Sequence, residues 1–323
     1  MAVSLTNGAN PTCMGHLDKL YSFEGQNLEV GLLTPTGTIP TGGWPLFVSL
    51  PGDGSSPDQM GVTHTSWAMA FYLSFSGLRA PGDSSGVIPL DVEARPGYSL
   101  STIQNGRIDI SEPSGASRSY EDEVLFHSGS MLHQYSWNGR ALLQLVRDMI
   151  ADPSLNINPN KVYICGFSRG GIDAFQMLLG GRDIWAGAAI AAGLPIYGGL
   201  GTSTTPNTSQ TTAWNGTLGP TVNCGRLIRE CARYQHIPIF MGDGTLDVNI
   251  GYANWQQHVS IMAPIMGRNL KSQSFTGVDH NGTPYQVWQT QSAALGIYLV
   301  DWLLSLTKPV TPVDPYPVLT GVV

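Results

Sequence analysis

The sequence predicts an α/β protein built on a mostly parallel, doubly wound sheet with helices on both faces. Three observations carry that expectation. Strand-length apolar runs alternate with stretches of helical period through the second half of the chain. One such run, Lys161-Val162-Tyr163-Ile164-Cys165, ends in a glycine-rich turn that opens straight into an amphipathic pattern. The 323 residues also suffice to bury a core on both sides of a sheet.

The elements follow in order. Residues 17–34 read as a hairpin, with Leu20–Phe23 and Leu28–Leu33 flanking a turn at Gly25. Trp44–Leu50 is a short buried strand that stops at Pro51-Gly52-Asp53-Gly54. A helix is expected over Ser66–Leu78 and a strand over Glu123–Phe126, separated by loops rich in Gly, Ser and Pro. From Asn138, Leu142, Leu145, Val146, Met149 and Ile150 form one helical face, closed by Asp152-Pro153. Strand Lys161–Cys165, helix Ile172–Leu179 and strand Ala186–Ala192 come next. Gly198–Asn223 lacks periodicity and reads as a long loop or cap insertion. Strand His236–Met241 follows, and a last helix is expected over Gln289–Leu306, burying Leu295, Leu299, Trp302, Leu303 and Leu306. These elements are assigned to one domain, residues 1–307. The tail, Lys308–Val323, holds four prolines and is expected to be extended.

Composition limits the function. Charged residues make up 12% of the chain, against roughly 25% in an average globular protein, a bias that favours a secreted or particle-borne protein. The net charge of -7, with no basic stripe, argues against nucleic acid as a partner. No apolar run reaches the roughly 18 residues of a membrane span. The start, Met1-Ala2-Val3-Ser4, has neither a basic n-region nor an apolar h-region, so no signal peptide is expected there. Four cysteines are too few for a disulfide scaffold at this length. Cys165 reads as a buried thiol, while Cys224 and Cys231 are close enough in sequence to be bridged. No Cys/His spacing suggests a metal, and no cofactor motif is present.

Gly166-Phe167-Ser168-Arg169-Gly170 is a G-x-S-x-G sequence followed by Gly171. A serine on a sharp strand-to-helix turn exposes its oxygen above the sheet edge, and glycines beside it leave the turn room to close. The flanking strand and helix patterns supply the context this motif needs, so Ser168 is the candidate nucleophile. A carboxylate past a later strand would orient the base, and Asp247, in Gly242-Asp243-Gly244-Thr245-Leu246-Asp247, stands there. Asp243 is its rival, expected in an exposed turn. Only His258 and His280 follow Asp247. His258 falls in a helical stretch as an exposed or half-buried surface residue, whereas His280 lies in a glycine-bracketed loop and is the candidate base. The order Ser168, Asp247, His280 is that of α/β-hydrolases. An oxyanion hole would draw on the backbone N–H of Arg169 and on that of Asp53, or alternatively Gly54. The Gly82-Asp83-Ser84-Ser85-Gly86 stretch resembles a protease serine loop but reads as a flexible connection.

With these residues in view, the chain resembles the polyhydroxybutyrate-depolymerase and feruloyl-esterase-like branch of the α/β-hydrolases. The similar parts are the hairpin, the Leu50–Gly54 loop, Asn158–Gly171, the strand near Ala188, Gly242–Asp247 and Val278-Asp279-His280. Gly242–Asp247 looks like the family's His-Gly-Thr-x-Asp, with Asp243 in the histidine's place. The resemblance implies an α/β-hydrolase fold and a serine esterase acting through an acyl-enzyme on an ester substrate, polymeric or aryl. The alternatives are a serine peptidase and a non-catalytic binding or particle-decoration module on the same fold.

Overall fold

The computed structural model describes residues 3–7, 17–32, 39–50, 88–92, 137–196, 220–289 and 292–312. Among the described residues, nine strands form one sheet: β1 Leu5–Asn7, β2 Leu17–Phe23, β3 Gln26–Leu32, β4 Trp44–Leu50, β5 Ile88–Val92, β6 Ile157–Phe167, β7 Gly187–Ala191, β8 Ile239–Gly244 and β9 Leu270–Phe275. Their order is β1-β2-β3-β5-β4-β6-β7-β8-β9. From β5 to β9 every neighbouring pair is parallel, and β1, β2 and β3 add an antiparallel edge. Among the described residues, six α-helices accompany the sheet: α1 Trp137–Ala151, α2 Arg169–Gly180, α3 Pro220–Tyr234, α4 Tyr252–Met266, α5 Thr283–Gln289 and α6 Leu299–Ser305.

Side-chain alternation shows that both faces are covered. In β7, a Cβ placed on Gly187 would press against Leu303 and Leu306, beside α6, whereas Ile190 meets Gly171 in α2. Residues 187 and 190 point to opposite faces of a strand, so α6 and α2 lie on opposite sides of the sheet. A strand buried on both faces needs small or apolar residues at every position, and the Gly-Ala-Ala-Ile-Ala of β7 is buried throughout. The core also encloses Trp185, Trp288, Tyr163, Phe47, Phe175 and Phe240.

Much of the expected layout is present. The hairpin of 17–34 is β2 and β3, joined by Glu24 (φ 48°) and Gly25 (φ 76°). Two positive φ angles in a two-residue loop match the twist of the strands it joins. Leu142, Leu145, Val146 and Met149 are completely buried on α1. That helix ends where Asp152 accepts hydrogen bonds from Ser154 and from the Val3 N–H.

Several expectations are corrected. Of the helix predicted over Gln289–Leu306, only α6, Leu299–Ser305, is a helix within the span: Gln289 is the last residue of α5, and ahead of α6 Gly296 adopts φ 74° while its N–H closes a turn onto the Ser292 carbonyl. Leu299 and Leu303 are buried as expected, but Leu295, Trp302 and Leu306 are only partly covered. The strand expected at His236–Met241 starts at Ile239 and runs on to Gly244, since the Ile237 N–H still bonds back to Tyr234 at the end of α3. The loop expected over Gly198–Asn223 gives way at Pro220 to α3, where a proline suits the first helical turn. Cys224 and Cys231 are both thiols on α3 and are not bridged to each other. Seven residues of helix separate their Cα atoms by about 10 Å, beyond the reach of a disulfide. Cys165 is a buried thiol, as expected. Of the tail, the Lys308 N–H bonds Asn160 and Thr311 Oγ1 bonds the Arg182 carbonyl. The helix expected over Ser66–Leu78, the strand over Glu123–Phe126, the Gly82–Gly86 stretch and the tail beyond Pro312 lie outside the described residues.

Candidate active site

The strand order reverses around β4, which has β5 on one side and β6 on the other. In open α/β sheets a crevice forms at such a switch point, beyond the carboxyl ends of the strands. Ser168, Asp247 and His280 follow the carboxyl ends of β6, β8 and β9 respectively.

Ser168 links β6 to α2 at φ 55°, ψ -120°, a conformation that only its surroundings can hold in place. Its N–H bonds the Ala191 carbonyl at the end of β7, and its own carbonyl accepts the N–H groups of Gly171 and Ile172. Closing the turn this tightly requires glycine at 166, where a Cβ would fall onto the Gly170 carbonyl oxygen. Gly171 is needed for a different reason: a Cβ there would sit 2.9 Å from the Gly193 Cα.

Asp247 and His280 come from two loops that are tied together. The Thr245 N–H bonds the Phe275 carbonyl, the Leu246 N–H bonds the Val278 carbonyl, and the Gly277 N–H bonds Thr245 Oγ1. His280 Nδ1 then lies 2.6 Å from Asp247 Oδ2, and its Nε2 lies 2.9 Å from Ser168 Oγ. The imidazole is buried and packs against the Phe167 ring, centroids 5.0 Å apart. Asp247 Oδ1 accepts the N–H groups of Asn249 and Ile250, which fix the carboxylate plane. On the other side of His280, Asp279 accepts N–H groups from Gly282 and Thr283 and so turns the loop into α5.

The two aspartates near the end of β8 differ in charge preference. Burial alone would raise the Asp247 carboxyl, but the hydrogen bond and charge of His280, with help from Asp243 and the Ile250 N–H, hold it below the usual range. Asp243 goes the other way, pushed up to about 9 by burial, then by the Asp247 charge and by its hydrogen bond to Asp247. It is not the exposed turn residue that was expected. As the penultimate residue of β8 it is fully buried. An Asp between two glycines looks like a turn, and nothing local in the sequence betrays its burial.

His258 is likewise no half-surface residue. It is fully buried on α4, with Nδ1 against the Asn254 carbonyl, and burial lowers its pKa to about 4. Arg169 opens α2, so its N–H has no carbonyl one turn earlier in the helix to bond. Asp53 and Gly54, the candidate second donors, lie outside the described residues. Among the described residues, no group of three or more His, Cys, Asp or Glu side chains is placed to hold a metal, and no helix is long and apolar enough to cross a membrane.

An imidazole held between a carboxylate and a serine hydroxyl can take the hydroxyl proton at Nε2 while Nδ1 keeps its own, which is the arrangement serine acyl transfer requires. The parallel sheet with helices on both faces, and a serine on the turn between β6 and α2, define the α/β-hydrolase fold. No family model matches the sequence, and no curated protein matches it. The solved structures that share the fold include a thermostable esterase, with a TM-score of 0.57 and 16% identity over 91% of this chain. This chain spans 63% of that esterase's length. A puromycin hydrolase gives a TM-score of 0.53 at 12% identity, over 84% of this chain and 37% of its own. A puromycin-hydrolyzing peptidase from Mycobacterium tuberculosis gives 0.50 at 16%, over 84% and 38%.

Proposed function

We propose that this chain is a serine hydrolase that cleaves carboxylic ester bonds through an acyl-enzyme, with Ser168 as nucleophile, His280 as base and Asp247 as orienting acid. One observation carries the reading: Ser168 Oγ, His280 and Asp247 form an unbroken chain of contacts at 2.9 and 2.6 Å. In this mechanism Oγ attacks the ester carbonyl carbon as its proton passes to His280 Nε2. Asp247 holds the Nδ1–H tautomer and stabilises the imidazolium. The carbonyl oxygen gains negative charge, which the backbone N–H of Arg169 meets at the start of α2, with Asp53 as the proposed second donor. Collapse of the tetrahedral intermediate breaks the alkoxy C–O bond, and Nε2 returns its proton to the departing alcohol. Water then attacks the acyl-enzyme, gives a proton to Nε2, and releases the acid as Ser168 recovers its hydrogen.

For the substrate we propose a polymeric or aryl ester, following the resemblance of Gly242–Asp247 and Val278–His280 to the depolymerase and feruloyl-esterase branch. The catalytic unit is taken as residues 1–307. Labelling by a fluorophosphonate, combined with hydrolysis of short-chain and feruloyl esters and of an aminoacyl anilide, tests the reading. Ser168→Ala should abolish labelling and cost at least about 10³-fold in ester hydrolysis with the fold intact. Labelling that persists in that variant would place the active serine elsewhere, and faster cleavage of the anilide than of the esters would favour a peptidase.

A further inference from the structure

We propose that Asp243 is a positioning residue: a neutral carboxylic acid at the end of β8 that donates its proton to the Asp247 carboxylate and holds it toward His280. The proposal rests on the reading of Asp247 as the orienting acid.

The geometry begins with burial. Asp243 is 0% exposed and Asp247 4%. Asp243 Oδ1 accepts the Gly244 N–H at 2.9 Å. Its Oδ2 is enclosed and meets no N–H or O–H donor among the described residues. The Asp243 side chain is hydrogen-bonded to that of Asp247, just past the end of β8. A hydrogen bond between two carboxyl groups needs a proton on one of them, and two buried carboxylates that close cannot both be ionised. The proton belongs on Asp243, because Asp247 has the donors that favour a charge: the N–H groups of Asn249 and Ile250, and His280 Nδ1. A carboxylate offers about four acceptor positions, so an O–H from Asp243 completes the set.

Among the described residues, no other charge competes for this role. β7 has no titratable side chain, and on β9 Lys271 pairs with Phe240, three residues back along β8 from Asp243. α5 contributes Tyr285, α4 contributes Tyr252 and His258, and the 276–282 loop contributes Asp279 and His280. Of all these neighbours, only Asp247 acts on Asp243 through its charge. The arrangement keeps the pair at one negative charge until Asp243 loses its proton. A second charge then forces the carboxylates apart and takes Asp247 from His280.

Two measurements test this. In ester hydrolysis, Asp243→Asn keeps a donor but has no proton to lose, so kcat at pH 7 should stay within about threefold of the parent. The parent should lose kcat as pH passes about 9, and that variant should not. Asp243→Leu, of similar shape without a donor, should lose kcat by about 10- to 100-fold with KM little changed. Equal losses in both variants, with the alkaline fall retained, would reduce Asp243 to packing and overturn the proposal. The second measurement needs no substrate and survives a misfolded Leu variant. The infrared difference between the parent and Asp243→Asn at pH 7 should show a carboxylic-acid carbonyl band that disappears as pH passes about 9. Absence of that band overturns the proposal. If the band is present while Ser168→Ala leaves ester hydrolysis untouched, the esterase reading falls and the buried acid stands.

Discussion

Asp247 and His280 are 33 residues apart in sequence, yet Oδ2 and Nδ1 meet at 2.6 Å. Neither side chain reaches far to do so. β8 and β9 are parallel neighbours that end side by side, and backbone hydrogen bonds from Thr245 and Leu246 stitch the two following loops together. The contact is thus a product of the sheet, and it can be tested at the side chains and at the backbone.

At the side chain, Asp247→Asn keeps the shape but offers Nδ1 an amide, which favours the wrong imidazole tautomer. Under the proposed mechanism kcat for a simple ester should fall by up to about 10⁴ with little change in thermal stability. A loss of less than about tenfold would mean that Asp247 does not orient the base.

At the backbone, Gly244→Ala should disturb the site without touching any of its side chains. A Cβ there would collide with the Val278 carbonyl, two residues before His280, and would sit 2.9 Å from Thr283 Oγ1. A displacement near 1 Å suffices for a loss of about 100-fold in kcat. Circular dichroism should remain that of the parent. Gly225→Ala is the control: a Cβ on Gly225, inside α3, meets nothing within 4 Å. It should leave activity alone and stabilise by about 0.5–1 kcal/mol.

Buried His258 should make the fold acid-sensitive. Burial lowers its pKa from 6.5 to about 4 in the native state. Between those values the unfolded chain binds a proton that the native protein refuses, so this stability is fully present above 6.5 and is lost as pH falls. Urea midpoints at several pH values across that window should fall less steeply for His258→Gln than for the parent. Identical slopes would show that His258 does not remain neutral in the native state.

Asp243 predicts the opposite slope. Its carboxyl is raised from 3.8 to about 9, so over that interval the native state holds a proton that the unfolded state releases. Its contribution therefore falls as pH rises. Asp243→Asn should gain stability relative to the parent as pH goes from 5 to 8, read from paired denaturation curves. A constant difference would indicate that Asp243 is ionised throughout.

The parts of the fold legible in the sequence are those written in neighbouring residues. The elbow at Ser168 could be read because β6, the glycines and α2 are contiguous, and the face of α1 because Leu142, Leu145, Val146 and Met149 repeat at helical spacing. Apolar spacing was a poorer guide at Gln289–Leu306, where Gly296 takes a left-handed conformation and only Leu299–Ser305, after it, is a helix within the span. The pairing considered for Cys224 and Cys231 dissolved once both fell on one helix, two turns apart.

By itself, then, the sequence determined the alternation of strands and helices, the strained turn at Ser168, and the chain order of Ser168, Asp247 and His280. Periodicity and local sterics act within a few residues, and they suffice for that much. Only the tertiary structure decided that these three groups converge, because convergence depends on β6, β8 and β9 ending at one edge of the sheet. It also decided the states of Asp243 and His258. A side chain's charge is set by what surrounds it, and here the surroundings come from strands and loops distant along the chain.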